Sequence, residues 1–284
     1  MSKKLLLAKL LSFIPDKIFN TLLFRYKIGI WPNFTHPRYY SEFINHIKLY
    51  SDNSLRKIVA DRIKVRDYVK NKSPECSLIY ILWMGEELTI EVYNDLPEKF
   101  VIKANHGSGM VLIVDKNKTS FDDVYKLTEK WKKIDYGKIT RQFVYNELDK
   151  IIIVEEFINI NSKVLPDFKF LCINGQIEFV QVDLDRFGEH RRNIYDQNFN
   201  LLDVTLEYKP GQNIKKPLLF DKAKEIAKKL SEDFDFIRVD LYITDDNVYF
   251  GELTNTPGNG FEKFTPLSFD LELGKKIKLN KEFE

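Results

Sequence analysis

The sequence predicts an α+β protein built mainly from antiparallel sheet, and three observations carry that prediction. Asp167 to Asp183 reads as two strands joined at Asn174-Gly175, a dipeptide suited to the tight turn of a hairpin. Phe236 to Leu253 reads as a second hairpin, turning at Asp245-Asp246-Asn247. Helical stretches occur singly between strands rather than in strand–helix–strand series, which disfavours a doubly wound parallel sheet.

In chain order, residues 1–14 are rich in leucine, but Lys9 interrupts the run and Pro15, Asp16 and Lys17 end it, unlike a secretory signal. An amphipathic helix is expected, with Leu6, Leu10 and Phe13 on one stripe and Lys3, Lys4 and Lys9 outside it. The stripe either packs on protein or docks on a membrane surface. No window of 18 apolar residues suggests a membrane span. Residues 16–50 read as aromatic and irregular, broken at Trp31-Pro32 and His36-Pro37. Leu55, Ile58, Val59, Ile63 and Val69 predict a helix over 55–70. Short strands follow at 78–83, 100–103 and 111–114, a helix at 121–133, a buried strand at 151–158 and a helix at 221–230. The expected division is an N-terminal segment over 1–54, a first unit over 55–153 and a second over 154–284.

With 44 Lys+Arg against 42 Asp+Glu in 284 residues, the net charge of +2 gives no sustained basic face for nucleic acid. Cys76 and Cys172 are far apart, and no Cys or His falls at metal-ligand spacing, so neither a zinc site nor a disulfide framework is expected. A reducing, cytoplasmic setting follows.

Three constellations carry chemistry. If the last hairpin has a three-residue loop, residue 244 faces 248, Asp240 faces Glu252 and Arg238 faces Thr254, all four on one side of the sheet. Carboxylates opposed across a ladder repel unless a cation or proton lies between them, and oxygen ligands from two strands suit Mg²⁺. The competing readings are that Arg238 alone neutralises the pair, or that a two-residue loop shifts the register. Lys103 ends an apolar strand ahead of Asn105-His106-Gly107-Ser108-Gly109, a small-residue loop able to approach phosphate, although a plain hairpin turn explains it equally well. His106 reads either as a phosphate donor or as an ordinary histidine. The strand over 151–158 acquires Glu155 and Glu156 before Phe157 and Ile158, where backbone could read an adenine edge and an acid could bind ribose.

The order of these segments resembles the ATP-grasp superfamily, and their wording is most similar to its TupA-like family from bacterial surface-polysaccharide gene clusters. The similar stretches are Ala60-Asp61-Arg62 with Val65 to Val69, Val101 to Gly109, Val154 to Ile158, Asp167-Phe168-Lys169-Phe170 to Gly175, Asp185-Arg186 with His190 to Asn193, Arg238 to Tyr242, and Gly251 to Gly258. The resemblance implies two α+β subdomains clasping ATP, after a short helical and aromatic N-terminal segment. It implies ATP phosphates on Arg62, Lys103 and the His106, Gly107, Ser108, Gly109 loop; adenine at Glu155, Glu156, Phe157 and Ile158; ribose at Asp167; and the γ-phosphate near Lys169. It also implies Mg²⁺ on Asp240 and Glu252, with Arg238 at the transferred phosphoryl group. Many relatives carry Glu-x-Asn at the metal; here Thr254 holds that place and Asn255 follows, and the face argument favours Thr254.

The implied activity is an ATP-dependent carboxylate–amine ligase acting through an acyl phosphate. Its partners would be a uronic-acid-containing saccharide of a capsule, O-antigen or teichuronic-type glycan and a small amine such as an amino acid or amino alcohol, reached in the cytoplasm or at the inner face of the membrane. Arg186, His190, Arg191 and Arg192 are the candidate carboxylate-binding cluster, Arg186 also counting with Arg238 and Lys169 as catalytic; a solvated loop is the alternative. Tyr195, Phe261 and Phe264 are candidate sugar-stacking rings or core residues. The rival activities are a sugar kinase and a non-catalytic nucleotide-binding component of a polysaccharide assembly complex.

Overall fold

The computed structural model describes residues 13–51, 54–160, 163–164, 166–184 and 189–279. Helices α1 (Asp16–Ile28), α2 (Tyr40–Tyr50), α3 (Ser54–Ala60) and α4 (Val65–Lys72) lead into strands β1 (Ser77–Leu78) and β2 (Ile81–Gly85). Then come α5 (Ile90–Asp95), β3 (Lys99–Ala104), β4 (Val111–Asp115), α6 (Phe121–Lys132), α7 (Tyr136–Thr140) and β5 (Ile152–Glu156). A small ladder of β6 (Asn159–Ile160) and β7 (Lys163–Val164) precedes β8 (Asp167–Ile173), β9 (Gln176–Leu184), β10 (Arg191–Tyr195) and β11 (Thr205–Leu206). Last are α8 (Phe220–Ser231), β12 (Phe236–Ile243), β13 (Val248–Thr254), β14 (Phe264–Thr265) and α9 (Leu267–Lys276).

Two sheets organise these elements. The larger has the order β1-β13-β12-β8-β9-β10 and is antiparallel apart from the β1–β13 pair; the smaller, β2-β5-β3-β4, is wholly antiparallel. On one face of the larger sheet Phe168, Phe170, Val180, Val239 and Leu241 pack against Phe220, Ile226 and Leu230 of α8 and Val65 and Val69 of α4. On its other face Leu171, Ile173, Phe179 and Phe236 pack under Tyr40, Ile44 and Ile47 of α2 and Leu273 of α9. Alternation along the strands puts Asp167, Lys169 and Asp240 on that second face too, beyond its apolar end. One face of one sheet thus runs from core to polar row. In the smaller sheet Phe100, Ile102, Ile152 and Val154 pack with Val124 and Trp131 of α6.

The α+β, mainly antiparallel organisation matches the expectation, and several elements differ in detail. Residues 16–50 are not irregular: α1 and α2 occupy most of them, and both X-Pro breaks lie in the loop between. Helix α2 is buried along Tyr40 to Lys48, its polar residues Ser41, Asn45 and Lys48 at helical spacing included, so that stripe faces protein and not solvent. The helix expected over 55–70 breaks at Asp61, whose Oδ1 accepts from the Ile63 and Lys64 amides at 2.8 and 3.1 Å. The run 78–83 divides between the two sheets, β1 joining the larger and β2 the smaller. The division expected after residue 153 falls within β5, which pairs with β3 from Phe100↔Glu156 to Ala104↔Ile152. Of the leucine-rich N-terminal stripe, residues 1–12 lie outside the described residues.

The last hairpin pairs Asp240 with Glu252 and Arg238 with Thr254, as expected, but by a different route. The ladder closes at Ile243↔Val248, not 244↔248, and a bulge between Asp240 and Leu241 absorbs Gly251 to restore the phase. A Cβ at Gly251 would lie 2.8 Å from the Asp240 carbonyl oxygen. Gly251→Ala is therefore expected to cost about 1–3 kcal/mol in urea denaturation, because a backbone oxygen cannot turn aside as a side chain would.

Candidate functional site

Beyond its apolar end, the same face of the larger sheet carries a buried row of charges. Asp240, 3% exposed, receives Arg238 Nε on Oδ1 at 2.7 Å, Arg238 Nη2 on Oδ2 at 2.8 Å and Lys169 Nζ on Oδ2 at 2.7 Å. Lys169 also lies 3.3 Å from Asp167 Oδ2. Asp183, directly opposite Asp167, takes Arg192 Nε on Oδ1 at 2.7 Å and Gln181 Nε2 on Oδ2 at 3.0 Å. Arg192 continues the row to Glu262 at 2.9 Å. On β13, Glu252 Oε1 accepts from Thr254 Oγ1 at 3.1 Å and lies 3.6 Å from Arg238.

Across from Glu252 stands the smaller sheet. Lys103 Nζ donates to Glu155 Oε2 at 2.5 Å, with Arg66 3.9 Å from the other oxygen. Arg62 occupies the break between α3 and α4 and ties the two sides together. Its Nε donates to Ala104 O at 3.2 Å, its Nη2 to Gly107 O at 3.1 Å, and its Nη1 lies 3.5 Å from Glu252 Oε2. A cleft lies between, with Arg62, Lys103, Ser108 and Glu155 on one wall and Glu252 and Thr254 on the other. In the loop over 105–109, Gly109 has φ of 74°, and a Cβ on Gly107 would meet Met110 and Tyr136 at 2.8 Å. Both glycines are needed, one for conformation and one for packing.

Charge settles the ionisation states. Partial burial pushes the Glu252 carboxyl up, but Arg62, Lys169 and Arg238 outweigh it and hold it at about 2. Burial likewise pushes Asp183 up, while Arg192, Lys169 and the neighbouring His190 bring it to about 2. A carboxyl depressed on folding contributes stability above its unfolded value, lost as pH falls through the folded one. For Asp183 this is about 2 kcal/mol, present at neutral pH and lost between roughly pH 4 and pH 2. The denaturation-midpoint gap between wild type and Asp183→Asn is thus expected to be widest near neutral pH and to narrow over that window.

A hard divalent cation fits part of this donor set. Glu252 is ionised, its side chain 35% exposed, and the Thr254 hydroxyl lies beside it. Both Asp240 oxygens are already engaged, so the charge between the opposed carboxylates is carried by Arg238 and Lys169. Asn255 turns away: its Nδ2 donates to Arg56 O at 2.9 Å and its Oδ1 accepts from Arg56 Nη1 at 3.2 Å. Among the described residues no group of three or more His, Cys, Asp or Glu could by itself hold a metal ion.

Other expected residues separate. His106, expected among the phosphate contacts, does not line the cleft: its Nε2 lies 2.9 Å from Trp131 O of α6, and burial lowers its pKa. Glu155 faces the cleft but Glu156, next along β5, is exposed on the other side, and neither Phe157 nor Ile158 lines the cleft. The basic cluster divides in the same way. Arg192 joins the charge row, Arg191 points to the opposite face and pairs with Glu189, and Arg186 lies outside the described residues. His190 Nε2 lies 3.2 Å from Asp183, its ring 3.8 Å from that of Tyr208. Tyr195, Phe261 and Phe264 are core residues, whereas Tyr208 is the exposed ring at this edge. Cys76 and Cys172 are both buried free thiols.

Asp183, Gln181, Glu262 and Arg66 belong to the site although the sequence did not single them out. A plain two-residue turn at Asn174-Gly175 would pair Asp167 with residue 182; a bulge between Leu171 and Cys172 shifts the ladder and brings Asp183 opposite instead.

The family model described as TupA-like ATPgrasp matches residues 42–278. No curated protein matches the chain. Among solved structures, the chain is similar to D-alanine–D-alanine ligase from Bacillus anthracis, at 16% identity and a TM-score of 0.45, over 71% of this chain and 58% of that one. The corresponding enzyme from Helicobacter pylori matches at 17% identity and a TM-score of 0.42, over 78% and 62%. N5-carboxyaminoimidazole ribonucleotide synthetase from Thermus thermophilus matches at 12% identity and a TM-score of 0.42, over 76% and 51%. The chain spans less than two thirds of the length of each.

Proposed function

Because the chain belongs to the TupA-like ATP-grasp family, we propose that it is an ATP-dependent carboxylate–amine ligase that forms an amide by way of an acyl phosphate. One juxtaposition carries this reading: Lys103 and Arg62 on the glycine-loop side of the cleft face Glu252, which is backed by the Arg238–Asp240–Lys169 row. Cations on both walls around a carboxylate pair suit a nucleotide triphosphate carried with a divalent ion.

In the proposed reaction a substrate carboxylate oxygen bonds to the γ-phosphorus of ATP as the bond to the β,γ-bridging oxygen breaks, and ADP leaves. A neutral amine then attacks the acyl carbon, the carbon–oxygen bond to phosphate breaks, inorganic phosphate departs, and the amine's proton passes to water. Lys103 and Arg62 orient the phosphates of ATP. Lys169 and Arg238 offset the charge that develops on the transferred group, turning part of their hydrogen bonding from Asp240 to it. Mg²⁺, held by Glu252 and Thr254 with Asp240 behind them, would supply further neutralisation of the β- and γ-phosphates.

The acid is proposed to be a uronic acid of a bacterial surface polysaccharide or its precursor, and the amine an amino acid or small amino alcohol. Family membership supports that choice, and so do Arg192 and the exposed Tyr208 ring at the edge of the row, a cation 4.8 Å from a sugar-sized apolar face. Incubation with ATP, Mg²⁺, glucuronic-acid-containing acceptors and mixed amines should give ADP and a product whose mass equals acid plus amine minus water. ADP with a phosphosugar would instead make the protein a kinase, and ATP binding without turnover would make it a non-catalytic component.

A further inference from the structure

Helix α1 is apolar on both faces. Inward, Phe24 and Ile28 are buried with Phe34 and Phe261. Outward, Ile18, Leu22 and Tyr26 at i, i+4 and i+8 are 52%, 53% and 81% exposed, and Phe13 and Trp31 at the two ends are 82% and 63% exposed. Single exposed apolar residues are ordinary, but a surface helix normally turns polar residues to water, and five large apolar side chains along one element and its flanks depart from that pattern. The helix is firmly seated: Arg141 Nη1 donates to Ile14 O at 2.8 Å and pairs with Asp16, while its guanidinium lies 4.0 Å from the Phe19 ring. The outward stripe is therefore presented by a fixed surface.

Charge is distributed to match. Residues 1–28 hold six basic residues, Lys3, Lys4, Lys9, Lys17, Arg25 and Lys27, against one acid, Asp16, a net of +5. The whole chain carries +2, which leaves −3 on the remaining 256 residues. Two copies meeting through this face would set Lys17, Arg25 and Lys27 against the same three cations, so a second copy of the chain is the wrong partner electrostatically. Aromatic rings flanking an apolar stripe, with cations beside them, suit the boundary between lipid headgroups and acyl chains.

We propose that this face docks the protein on an anionic phospholipid bilayer, with Ile18 and Leu22 in the acyl boundary, Tyr26 and Trp31 at headgroup level, and Lys17, Arg25 and Lys27 against lipid phosphates. The proposal does not depend on the ligase reading. Apolar insertion and basic attraction together provide the two signals that stable peripheral binding needs.

The test is co-sedimentation of the full chain with vesicles of phosphatidylcholine alone or with about 30 mol% phosphatidylserine, at low and high salt. The bound fraction should be at least about fivefold higher on the anionic vesicles and should fall with salt. The triple variant Ile18→Ser/Leu22→Ser/Tyr26→Ser should lose most binding, and Lys17→Glu/Arg25→Glu/Lys27→Glu should lose the anionic preference. The melting temperature should be unchanged in the stripe variant, whose three side chains are exposed, and should fall by only about a few degrees in the charge variant, which loses the Arg25 bond to Gly29 O and the Lys27–Glu207 pair at 4.0 Å. Equal binding to both vesicle types, or binding unaffected by the stripe variant, would overturn the proposal. So would a concentration-dependent dimer in sedimentation velocity that the stripe variant abolishes, because the stripe would then serve a protein partner.

Discussion

Asp240→Asn should both unsettle the fold and stop turnover. Asp240 is the only acid within hydrogen-bonding distance of Arg238 Nε among the described residues, and the substitution leaves two cations, Arg238 and Lys169, facing a neutral amide in a buried setting. Removing one partner of a buried ion pair typically costs about 3–5 kcal/mol. Urea denaturation should show a loss of that size. ADP formation should fall by about 10²–10³-fold even where the folded fraction is restored by temperature or osmolyte, because the same two cations are proposed to meet the transferred phosphoryl group. Lys169→Met in the Asp240→Asn background should recover part of the stability and none of the activity, which separates the structural role from the chemical one.

Lys103→Met should act chiefly on chemistry. It removes the cation nearest Glu155 and leaves Arg66 at 3.9 Å as the nearest replacement. The double variant Lys103→Met/Glu155→Gln removes both charges, so it should regain the stability lost in the single variant, measured by denaturant midpoint. Activity should not return. With Lys103 proposed to orient the phosphates of ATP, kcat/KM for ATP should drop at least about 10²-fold in both variants, equivalent to about 2.7 kcal/mol of transition-state stabilisation. Full activity in the double variant would show that Lys103 serves only to neutralise Glu155.

The fold was legible wherever local chemistry is decisive. Asn174 and Gly175 both adopt positive φ, 47° and 73°, and the hairpin turns where that dipeptide predicts. Helices α6 and α8 fall within a residue of their expected bounds because each has a polar face and a buried one. Legibility failed where burial on all sides obscures the pattern, as in α2, which packs on the larger sheet and beside α9 and turns even Ser41, Asn45 and Lys48 to protein partners. It also failed where one side chain redirects the backbone, as Asp61 does in breaking the expected helix and delivering Arg62 to the cleft.

The candidate site was legible in outline and misread in its phase. Alternation should have separated Glu155 from Glu156 and Arg191 from Arg192, since neighbours in a strand face opposite ways. The opposition of Asp240 and Glu252 was reached from a loop one residue too short, and the bulge at Gly251 supplies the missing residue. Asp183 was beyond reach for the mirror-image reason: a bulge in the other hairpin moves it onto the site's face. Bulges are set by packing across the whole sheet, and a single strand's sequence does not announce them.

The same geometry defines what the cleft must do if the proposed ligase chemistry is right. A carboxylate placed among Lys169, Arg238 and the γ-phosphate of ATP can only give up an amide by first surrendering one of its own oxygens to phosphorus. With a uronic-acid acceptor labelled with ¹⁸O in both carboxylate oxygens, each turnover should release inorganic phosphate carrying one ¹⁸O, in step with ADP and amide. Unlabelled phosphate, or label retained in full by the sugar while ADP accumulates, would contradict carboxylate activation and with it the ligase assignment.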